Sequence, residues 1–128
     1  MGIGPVPATE KALKQAGLRI GDIGLFELNE AFAVQVLAFL DHFAIADDDP
    51  RVNKYGGAIA TGHPLASSGV RLLTQLARQF AENPEVRYGL TAMCIGIGMG
   101  GAVRCENPHT QDYGQECDPD IDASPAHD

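Results

Sequence analysis

The first half of the chain contains two apolar patterns with helical spacing, separated by a short continuous apolar run. Residues 7–16 carry apolar side chains at helical spacing between Pro7, which suits a first turn, and Gly17, which suits a helix end, so they predict a short amphipathic helix. The run DIGLFEL at residues 22–28 predicts a short, mostly buried strand. Residues 29–43 are apolar on nearly every side, which predicts a helix that is buried all round.

The second half predicts one more helix and two strands. A glycine-rich loop at residues 55–69 leads into an amphipathic helix at residues 67–81. Residues 87–94 and 101–106 predict two strands, joined by a glycine-rich turn at residues 95–100. This alternation of helices and strands is typical of an α/β layer structure. The last helix is predicted to bury Val70, Leu73, Leu76, Ala77 and Phe80 and to expose Arg71, Gln75, Arg78 and Gln79.

The two ends of this pattern set expectations about the limits of the domain. The pattern opens on a helix, whereas α/β sheets usually begin with a strand, so we expect the domain to lack its first strand. Residues 107–128 show no hydrophobic periodicity and carry six acids without a Lys or Arg. Such a composition predicts an acidic, disordered tail, which leaves residues 1–106 as the folded domain. The formal charge of the whole chain is −8, so the domain itself is close to balanced.

Composition argues against several classes of function. The chain has no run of about 18 apolar residues and no secretory leader pattern, so we expect a cytoplasmic protein without a membrane span. It has no basic stripe of the kind that binds nucleic acid, and the phosphates of a coenzyme would need positive charge from elsewhere. Cys94, Cys105 and Cys117 form no C-x-x-C pair and the histidines lack zinc-like spacing, which predicts free thiols and no metal site.

A first polar group, Asn29-Glu30, follows the predicted strand directly. Asn is a residue type that caps helices, so one interpretation of Asn29 is a structural cap. The functional interpretation is that the carboxyl end of a strand opens on the crevice in which α/β sheets bind ligands.

A second candidate is His63, which lies between Gly62 and Pro64 just ahead of a predicted helix. The helix dipole disfavours a cation at that position, so it favours a neutral imidazole that can accept a proton or donate a hydrogen bond to a carbonyl oxygen. A loop histidine with a backbone partner is the alternative. The surrounding glycines do not form a P-loop, because no Gly-Lys-Ser/Thr follows them.

A third candidate is Cys94, which stands where a predicted strand ends and the run IGIGMGG begins. Glycines allow backbone N–H groups to turn toward a ligand and so to form an oxyanion-binding site. A buried structural cysteine before a hairpin is the alternative interpretation. A dinucleotide site is not expected, because its glycine fingerprint opens a helix, whereas this run precedes a strand.

The series NEAFA, GGAIATGHPLASSG and CIGIGMGGA, in this order, closely resembles the C-terminal signatures of the thiolase family. The opening MGIGPVPAT is similar to that of the 3-ketoacyl-CoA thiolases and their acetoacetyl-CoA relatives, and the resemblance covers residues 1–106. It implies the C-terminal half of a thiolase-like fold, a mixed β-sheet with helices on its faces. The implied activity is acyl transfer between CoA thioesters, by thiolytic cleavage of a 3-ketoacyl-CoA or by the reverse Claisen condensation. Ketoacyl synthases share that fold but use two histidines and lack an equivalent of Cys94, so they fit less well.

The resemblance also implies a role for each motif residue. His63 would activate the nucleophilic cysteine and hydrogen-bond the thioester oxygen. Asn29 would hold a water that completes this first oxyanion hole, and Cys94 would move the proton at the α-carbon. The backbone N–H of Gly96 would contribute to a second oxyanion hole, together with the N–H of the nucleophile.

The same resemblance implies the substrates and partners. Phe32 would wall the channel for the pantetheine arm of coenzyme A, which is a substrate rather than a tightly bound cofactor, and Glu30 would support the site. The nucleophilic cysteine belongs to the N-terminal thiolase half, so this chain is expected to be inactive alone. The implied context is fatty-acid β-oxidation, in a homo-oligomer or a β-oxidation complex.

Two departures from the family pattern affect the expected pocket. Ile97 replaces the middle one of three glycines, and Ala66-Ser67 replaces Gly-Ala, which suggests a different pocket shape rather than lost activity. A biosynthetic acetoacetyl-CoA thiolase is one alternative assignment. A non-catalytic, thiolase-like interaction module that pairs with another subunit is the other.

Overall fold

The computed structural model describes residues 2–110 of the chain. Within them lie four α-helices, three strands and a short 3-10 turn. The helices are α1 (Pro5–Ala16), α2 (Ala33–His42), α3 (Ala58–Thr61) and α4 (Leu65–Glu82), the 3-10 turn is Ile20–Asp22, and the strands are β1 (Ile23–Leu28), β2 (Tyr88–Ile95) and β3 (Met99–Glu106).

The three strands form one mixed sheet in the order β1-β2-β3. β1 runs parallel to β2, with Phe26 opposite Leu90, and β2 runs antiparallel to β3, with Thr91 opposite Val103. An isolated parallel bridge joins Phe26 to Val52. A parallel pair needs a long crossover connection, and the chain supplies one through α2, α3 and α4. The predicted α/β class with a mixed sheet is therefore confirmed.

Helices cover both faces of this sheet. Leu25 and Phe26 are neighbours on β1, and their side chains point to opposite faces, as in any strand. On one face the core is built from α1, α2 and the strands, and its members include Val6, Leu13, Ile23, Phe26, Leu28, Phe39, Leu40 and Leu90. On the other face α4 packs Leu76 and Phe80 against Leu25. β2 lies between β1 and β3, and its residues 89–92 are buried between the two helical layers.

Helix α2 is buried on one side only, in contrast to the prediction that it is buried all round. Phe39 and Leu40 face the core, whereas Val34 is 72% exposed and Leu37 is also exposed. The helix rests on a single layer, so the apolar residues on its outer side have nothing to pack against within the described part of the chain. The sequence pattern was correct about the apolar character of α2 and wrong about its burial.

Helix α4 buries a different stripe from the predicted one. Its buried side chains follow an i, i+4 spacing, at Ser68, Leu72, Leu76 and Phe80. Val70, predicted to be buried, is 66% exposed, and Leu73 and Ala77 are also exposed. The helix carries apolar residues on two sides, and only one of these sides meets the sheet. Gln79, predicted to be exposed, lies on the sheet side and is fully buried.

The side chain of Gln79 binds a carboxylate in the interior. Nε2 of Gln79 donates a hydrogen bond to Oε1 of Glu27, which is fully buried on β1 (2.6 Å). Burial raises the pKa of the Glu27 carboxyl above its usual value, because the charged form loses its hydration. The hydrogen bond from Gln79 and the charge of Arg71 oppose this effect only in part. The Gln79–Glu27 bond thus joins α4 to β1, two residues before Asn29.

The packed part of the chain includes Asn107, one residue past the predicted end of the domain. Its side chain is fully buried, and Nδ2 donates to the backbone oxygens of Phe80, Asn83 and Val86 at 3.2, 3.2 and 2.7 Å. These contacts join the end of α4 to the start of β2. Residues 111–128 of the predicted acidic tail lie outside the described residues.

A three-residue turn connects β2 to β3. Gly96, Ile97 and Gly98 have positive φ values of 26°, 49° and 77°. Tight hairpin turns require such values, because they match the twist of the flanking strands. Glycine adopts them freely, whereas a β-branched residue is strained there. Burial of the side chain does not offset this strain, since Ile97 is 95% exposed.

We predict that Ile97→Gly raises the free energy of unfolding by about 0.5–1 kcal/mol. Relief of the left-handed strain, about 1–2 kcal/mol for an L-residue, exceeds the extra entropy that glycine adds to the unfolded chain. Urea unfolding of the 128-residue chain measures the change. Ile97→Ala is the control, since it removes the apolar side chain but keeps Cβ. An equal gain in both variants would contradict the assignment of strain to the turn.

We predict that the free energy of unfolding of the Glu27→Gln variant increases relative to that of the wild type as the pH rises. The folded-state pKa of Glu27 is raised, so its contribution to stability is fully present below the unfolded pKa of about 4.5 and is lost as the pH rises through the folded value. Glutamine keeps an acceptor for Gln79 and has no ionisation to lose. Urea unfolding at pH 4 and pH 7.5 measures this difference. The free energy of unfolding of the variant, relative to the wild type, should be higher at pH 7.5 than at pH 4. The exposed Glu85→Gln should show no such gain, and a pH-independent difference for Glu27→Gln would refute the prediction.

Candidate active site

Asn29 occupies the carboxyl end of β1 and is not a helix cap. Its backbone N–H donates to the carbonyl of Ala92 (2.9 Å), which continues the parallel pairing of β1 with β2 by one residue. The residue that precedes α2 is Phe32, whose backbone is extended, so the helix begins at Ala33. The capping interpretation of Asn29 is therefore wrong, because Asn29 still pairs with β2 and the helix begins only at Ala33.

The side chain of Asn29 is 3% exposed, and within residues 2–110 neither its oxygen nor its nitrogen has a hydrogen-bond partner. It lines a small cavity between α1, α2 and the sheet, together with Gln35. Nε2 of Gln35 donates to the carbonyl of Gly2 (2.6 Å), and its buried oxygen also lacks a partner in that part of the chain. Buried amides are normally hydrogen-bonded, so this cavity presents unused donors and acceptors in an apolar setting.

Cys94 lies near the end of β2, at the same edge of the sheet as Asn29. It is a free, half-buried thiol directly opposite Gly100 on β3. A Cβ on Gly100 would lie 2.1 Å from the backbone of Gly4, so the start of α1 packs closely against the strand next to Cys94. Gly96 follows two residues later in the turn described above. The parallel pairing of β1 with β2 brings the Asn29 and Cys94 positions to one edge.

His63 precedes α4 and is exposed. The backbone reaches it through Gly62, whose φ is 88°, and leaves it through Pro64. Its Nδ1 lies 2.6 Å from Oγ of Ser68, a fully buried residue one turn into α4. Oγ of Ser68 also donates to the carbonyl of Pro64 (3.3 Å). When that hydroxyl donates to Pro64, it can accept from Nδ1–H, and Nε2 of the imidazole is then left as an acceptor.

The start of α4 and the end of β2 share an apolar cleft of about 450 Å³. Ala66 and Val70 line it from the helix, and Met93, Ile95 and Val103 line it from the strands. The start of α4 and the end of β2 therefore face each other across this cleft. The backbone positions of the three predicted residues lie toward this end of the domain, but the Asn29 side chain faces the cavity on the α1–α2 side of the sheet, and no hydrogen bond of residues 2–110 joins His63 to Asn29 or Cys94.

Phe32 and Glu30 lie between β1 and α2. The Phe32 side chain is exposed. The Glu30 carboxylate accepts hydrogen bonds from Nδ2 of Asn53 (2.8 Å) and from the backbone N–H of Ile59 (3.0 Å). Neither Asn53 nor Ser68 was predicted from the sequence to be a functional residue. The available signals were weak: Asn tolerates positive φ in turns, and Ser68 stands among several small residues of an ordinary helix start.

Cys105 is the other free cysteine within residues 2–110. Burial raises the pKa of the Cys105 thiol, so it favours the unreactive neutral form. Cys117 lies outside the described residues. No three His, Cys, Asp or Glu side chains of residues 2–110 are grouped as metal ligands. None of the helices in that part of the chain has the length and apolar character needed to cross a membrane.

Comparison with known proteins gives one family. The profile described as "Thiolase, C-terminal domain" matches residues 1–107. The 3-ketoacyl-CoA thiolase of Photorhabdus laumondii is 55% identical over 107 residues, which is 83% of this chain and 27% of that protein. Those of Photobacterium profundum and Yersinia enterocolitica are 56% and 55% identical over 101 residues, 78% of this chain and 26% of theirs.

The chain therefore spans about a quarter of the length of the relatives that it matches. The matched region contains every element of the described fold and all the candidate residues discussed above. The chain belongs to the thiolase family, and its residues 1–107 correspond to the C-terminal domain of thiolases.

Proposed function

We propose that this domain supplies the acid–base half of a thiolase active site and catalyses acyl transfer between CoA thioesters when it is joined to an N-terminal thiolase half. The observation that carries the proposal is the β1–β2 pairing, which brings the positions of Asn29 and Cys94 to one edge of the sheet, at the end where α4 begins after His63. Several of the similar proteins are named 3-ketoacyl-CoA thiolases. A 3-ketoacyl-CoA is accordingly the proposed substrate.

In the proposed reaction, His63 accepts the proton of a nucleophilic cysteine in the N-terminal half. The bond between Nδ1 and Ser68 supports this role, because it leaves Nε2 free to act as the base. The resulting thiolate attacks the 3-keto carbonyl of the substrate. His63 is exposed in this domain, as a group that meets a partner half must be.

The carbon–carbon bond between C2 and C3 then breaks, and its electron pair moves onto the thioester oxygen as an enolate. That enolate oxygen is the thioester oxygen bound by His63, whereas the backbone N–H of Gly96, together with the N–H of the nucleophile, is the proposed donor to the oxyanion that forms on the 3-oxygen when the thiolate attacks. The thiol of Cys94 protonates C2 and releases acetyl-CoA. The thiol of free CoA then attacks the carbonyl of the acyl-enzyme. Its proton passes to the Cys94 thiolate, the shortened acyl-CoA forms, and the departing nucleophile recovers its proton from His63. The buried amide of Asn29, with its unused donor and acceptor, is suited to hold a water at the thioester oxygen bound by His63.

Binding of coenzyme A requires groups that this domain provides only in part. Phe32 is exposed beside Asn29 and is the proposed wall of the pantetheine channel. No tightly bound cofactor enters the proposed reaction, since coenzyme A is consumed and released. The acidic balance of the chain implies that positive charge for the CoA phosphates comes from the partner half.

Exposed apolar surface supports the need for that partner. Val34 on α2 and Val70 and Leu73 on α4 are exposed, and the α4 residues border the cleft next to the site. Large exposed apolar patches mark interaction sites. The proposed setting is a cytoplasmic enzyme of fatty-acid β-oxidation, as a homo-oligomer or within a β-oxidation complex. A biosynthetic acetoacetyl-CoA thiolase would use the same side chains and differ in chain-length preference.

The central prediction is that the chain alone is inactive and gains activity with its missing half. CoA-dependent cleavage of a 3-ketoacyl-CoA should appear only when the chain is co-expressed with the N-terminal part of a similar 3-ketoacyl-CoA thiolase. His63→Ala and Cys94→Ala should each lower kcat by about 10²–10⁴-fold, the usual contribution of an acid–base group. A combined sample that is folded, associated and inactive would instead indicate a non-catalytic interaction module.

A second prediction concerns the serine that contacts His63. Ser68→Ala should lower kcat of the combined enzyme by about 10–100-fold, because the imidazole loses the contact that orients it. Ser67→Ala is the matched control: its hydroxyl also donates to the carbonyl of Pro64 (3.1 Å), but it does not contact His63. Equal effects of the two substitutions would show that the serines act on helix stability rather than on the imidazole.

A further inference from the structure

The Glu30 carboxylate joins the end of β1 to the segment that leads to His63. One oxygen accepts from Nδ2 of Asn53 (2.8 Å), and the other accepts from the backbone N–H of Ile59 in the first turn of α3 (3.0 Å). Hydrogen bonds to an ionised carboxylate are stronger than those between neutral groups. Glu30 is half-buried, so solvent competes with these bonds only in part.

Asn53 completes the connection on the β1 side. Its Nδ2 also donates to the carbonyl of Leu28 (3.0 Å), and its Oδ1 accepts from the Leu28 N–H (2.7 Å). Both hydrogens of the amide are therefore used, one on β1 and one on Glu30. The backbone of Asn53 has a positive φ of 46°, a conformation that Asn tolerates better than most residues. Its side chain thus takes the place of a neighbouring strand at the end of β1.

Gly57 allows the carboxylate to approach. A Cβ at this position would lie 2.3 Å from Cδ of Glu30 and 2.6 Å from each of its oxygens, which is closer than any side chain can come. The φ of Gly57 is −114°, so its backbone conformation does not itself require glycine. The absence of a side chain at residue 57 is therefore explained by the contact with Glu30 and not by backbone strain.

The single turn of α3 carries this restraint to His63. Oγ1 of Thr61 donates to the carbonyl of Gly57 (3.0 Å), and the N–H of Gly62 donates to the carbonyl of Ala58 (2.8 Å). The turn is short, and these two hydrogen bonds close it. His63 follows Gly62 directly, and its ring is held at the far side by Ser68.

We propose that Glu30 is a positioning residue: together with Asn53 and Gly57 it fixes the α3 turn against the end of β1, and through that turn it sets where His63 stands relative to the Asn29 edge of the sheet. Glu30 does not touch the imidazole and does not take part in proton transfer. Its catalytic consequence rests on the proposed function, whereas its effect on the α3 turn and on His63 does not.

The first test uses the 128-residue chain and needs no catalytic activity. In Glu30→Gln one carboxylate oxygen becomes an NH2 group, so one of the two bonds loses its acceptor. Amide hydrogen exchange at Ile59, followed by NMR, should accelerate about tenfold or more. The ring signals of His63 should shift or broaden, while those of His42 and His109 stay unchanged as internal references.

Gly57→Ala tests the same restraint without altering charge. The new Cβ displaces the Glu30 carboxylate, so the changes at Ile59 and His63 should match those of Glu30→Gln, and the double variant should add little to either. Gly21→Ala and Glu85→Gln are the controls. Gly21 has no atom within 4 Å of an added Cβ, and Glu85 is an exposed carboxylate of the α4–β2 connection.

Either of two NMR results would overturn the proposal. Unchanged exchange at Ile59 in both Glu30→Gln and Gly57→Ala would show that Glu30 does not hold the turn. Faster exchange at Ile59 with unchanged His63 signals would show that the turn does not position the imidazole.

The second test applies the same variants to the combined enzyme. Glu30→Gln and Gly57→Ala should lower kcat about tenfold or more with little change in KM, because a displaced base affects the reaction rather than substrate binding. A higher KM with unchanged kcat would contradict the positioning role. If the wild-type combination were inactive, the proposed function would fail, while the NMR result would still decide whether Glu30 positions His63.

Discussion

The parallel pairing of β1 with β2 is the contact on which the rest of the domain depends. It buries Phe26 opposite Leu90 between two layers of helices, so it holds much of the apolar core. The same ladder continues by one hydrogen bond to Asn29 and sets this residue at the edge where β2 carries Cys94. Core and site therefore share one set of backbone hydrogen bonds. A shift of register by one residue would move every side chain of β1 to the other face and would also change the position of Asn29 relative to Cys94.

Hydrogen bonds of polar side chains connect the helices to the sheet. Glu27 and Gln79 connect β1 to α4 through the interior, and Asn107 closes the junction of α4 with β2. Asn53 performs the equivalent task at the end of β1. Each of these groups is costly to bury without a partner, and each has at least one partner at 2.7 Å or less. Such bonds depend on distance and direction, so they specify one arrangement of the helices where apolar contacts would allow several.

The domain leaves apolar surface uncovered on the outer sides of α2 and α4. Both helices bury the side that faces the sheet and expose apolar residues on the other, as at Val34 and Val70. The site lies at the end of the same molecule, with His63 and Phe32 exposed. The chain covers about a quarter of the length of the similar thiolases, and its exposed apolar surface is in keeping with the proposed pairing with an N-terminal half.

The sequence by itself determined most of the elements, the α/β class and the family. Apolar periodicity depends only on local order along the chain, so it located α1, α2, α4 and the three strands to within about four residues, and three ordered motifs identified Asn29, His63, Cys94 and Gly96 as candidates. It missed the single turn of α3, which lies in the segment predicted to be a glycine-rich loop. Only the tertiary structure decided which apolar side of α2 and α4 is buried, that Asn29 extends a ladder rather than caps a helix, and that Gln79 faces inward. It alone brought Glu30 to Asn53 and Ile59. These outcomes depend on contacts between residues far apart in the chain, and periodicity carries no information about which distant residue will supply the partner.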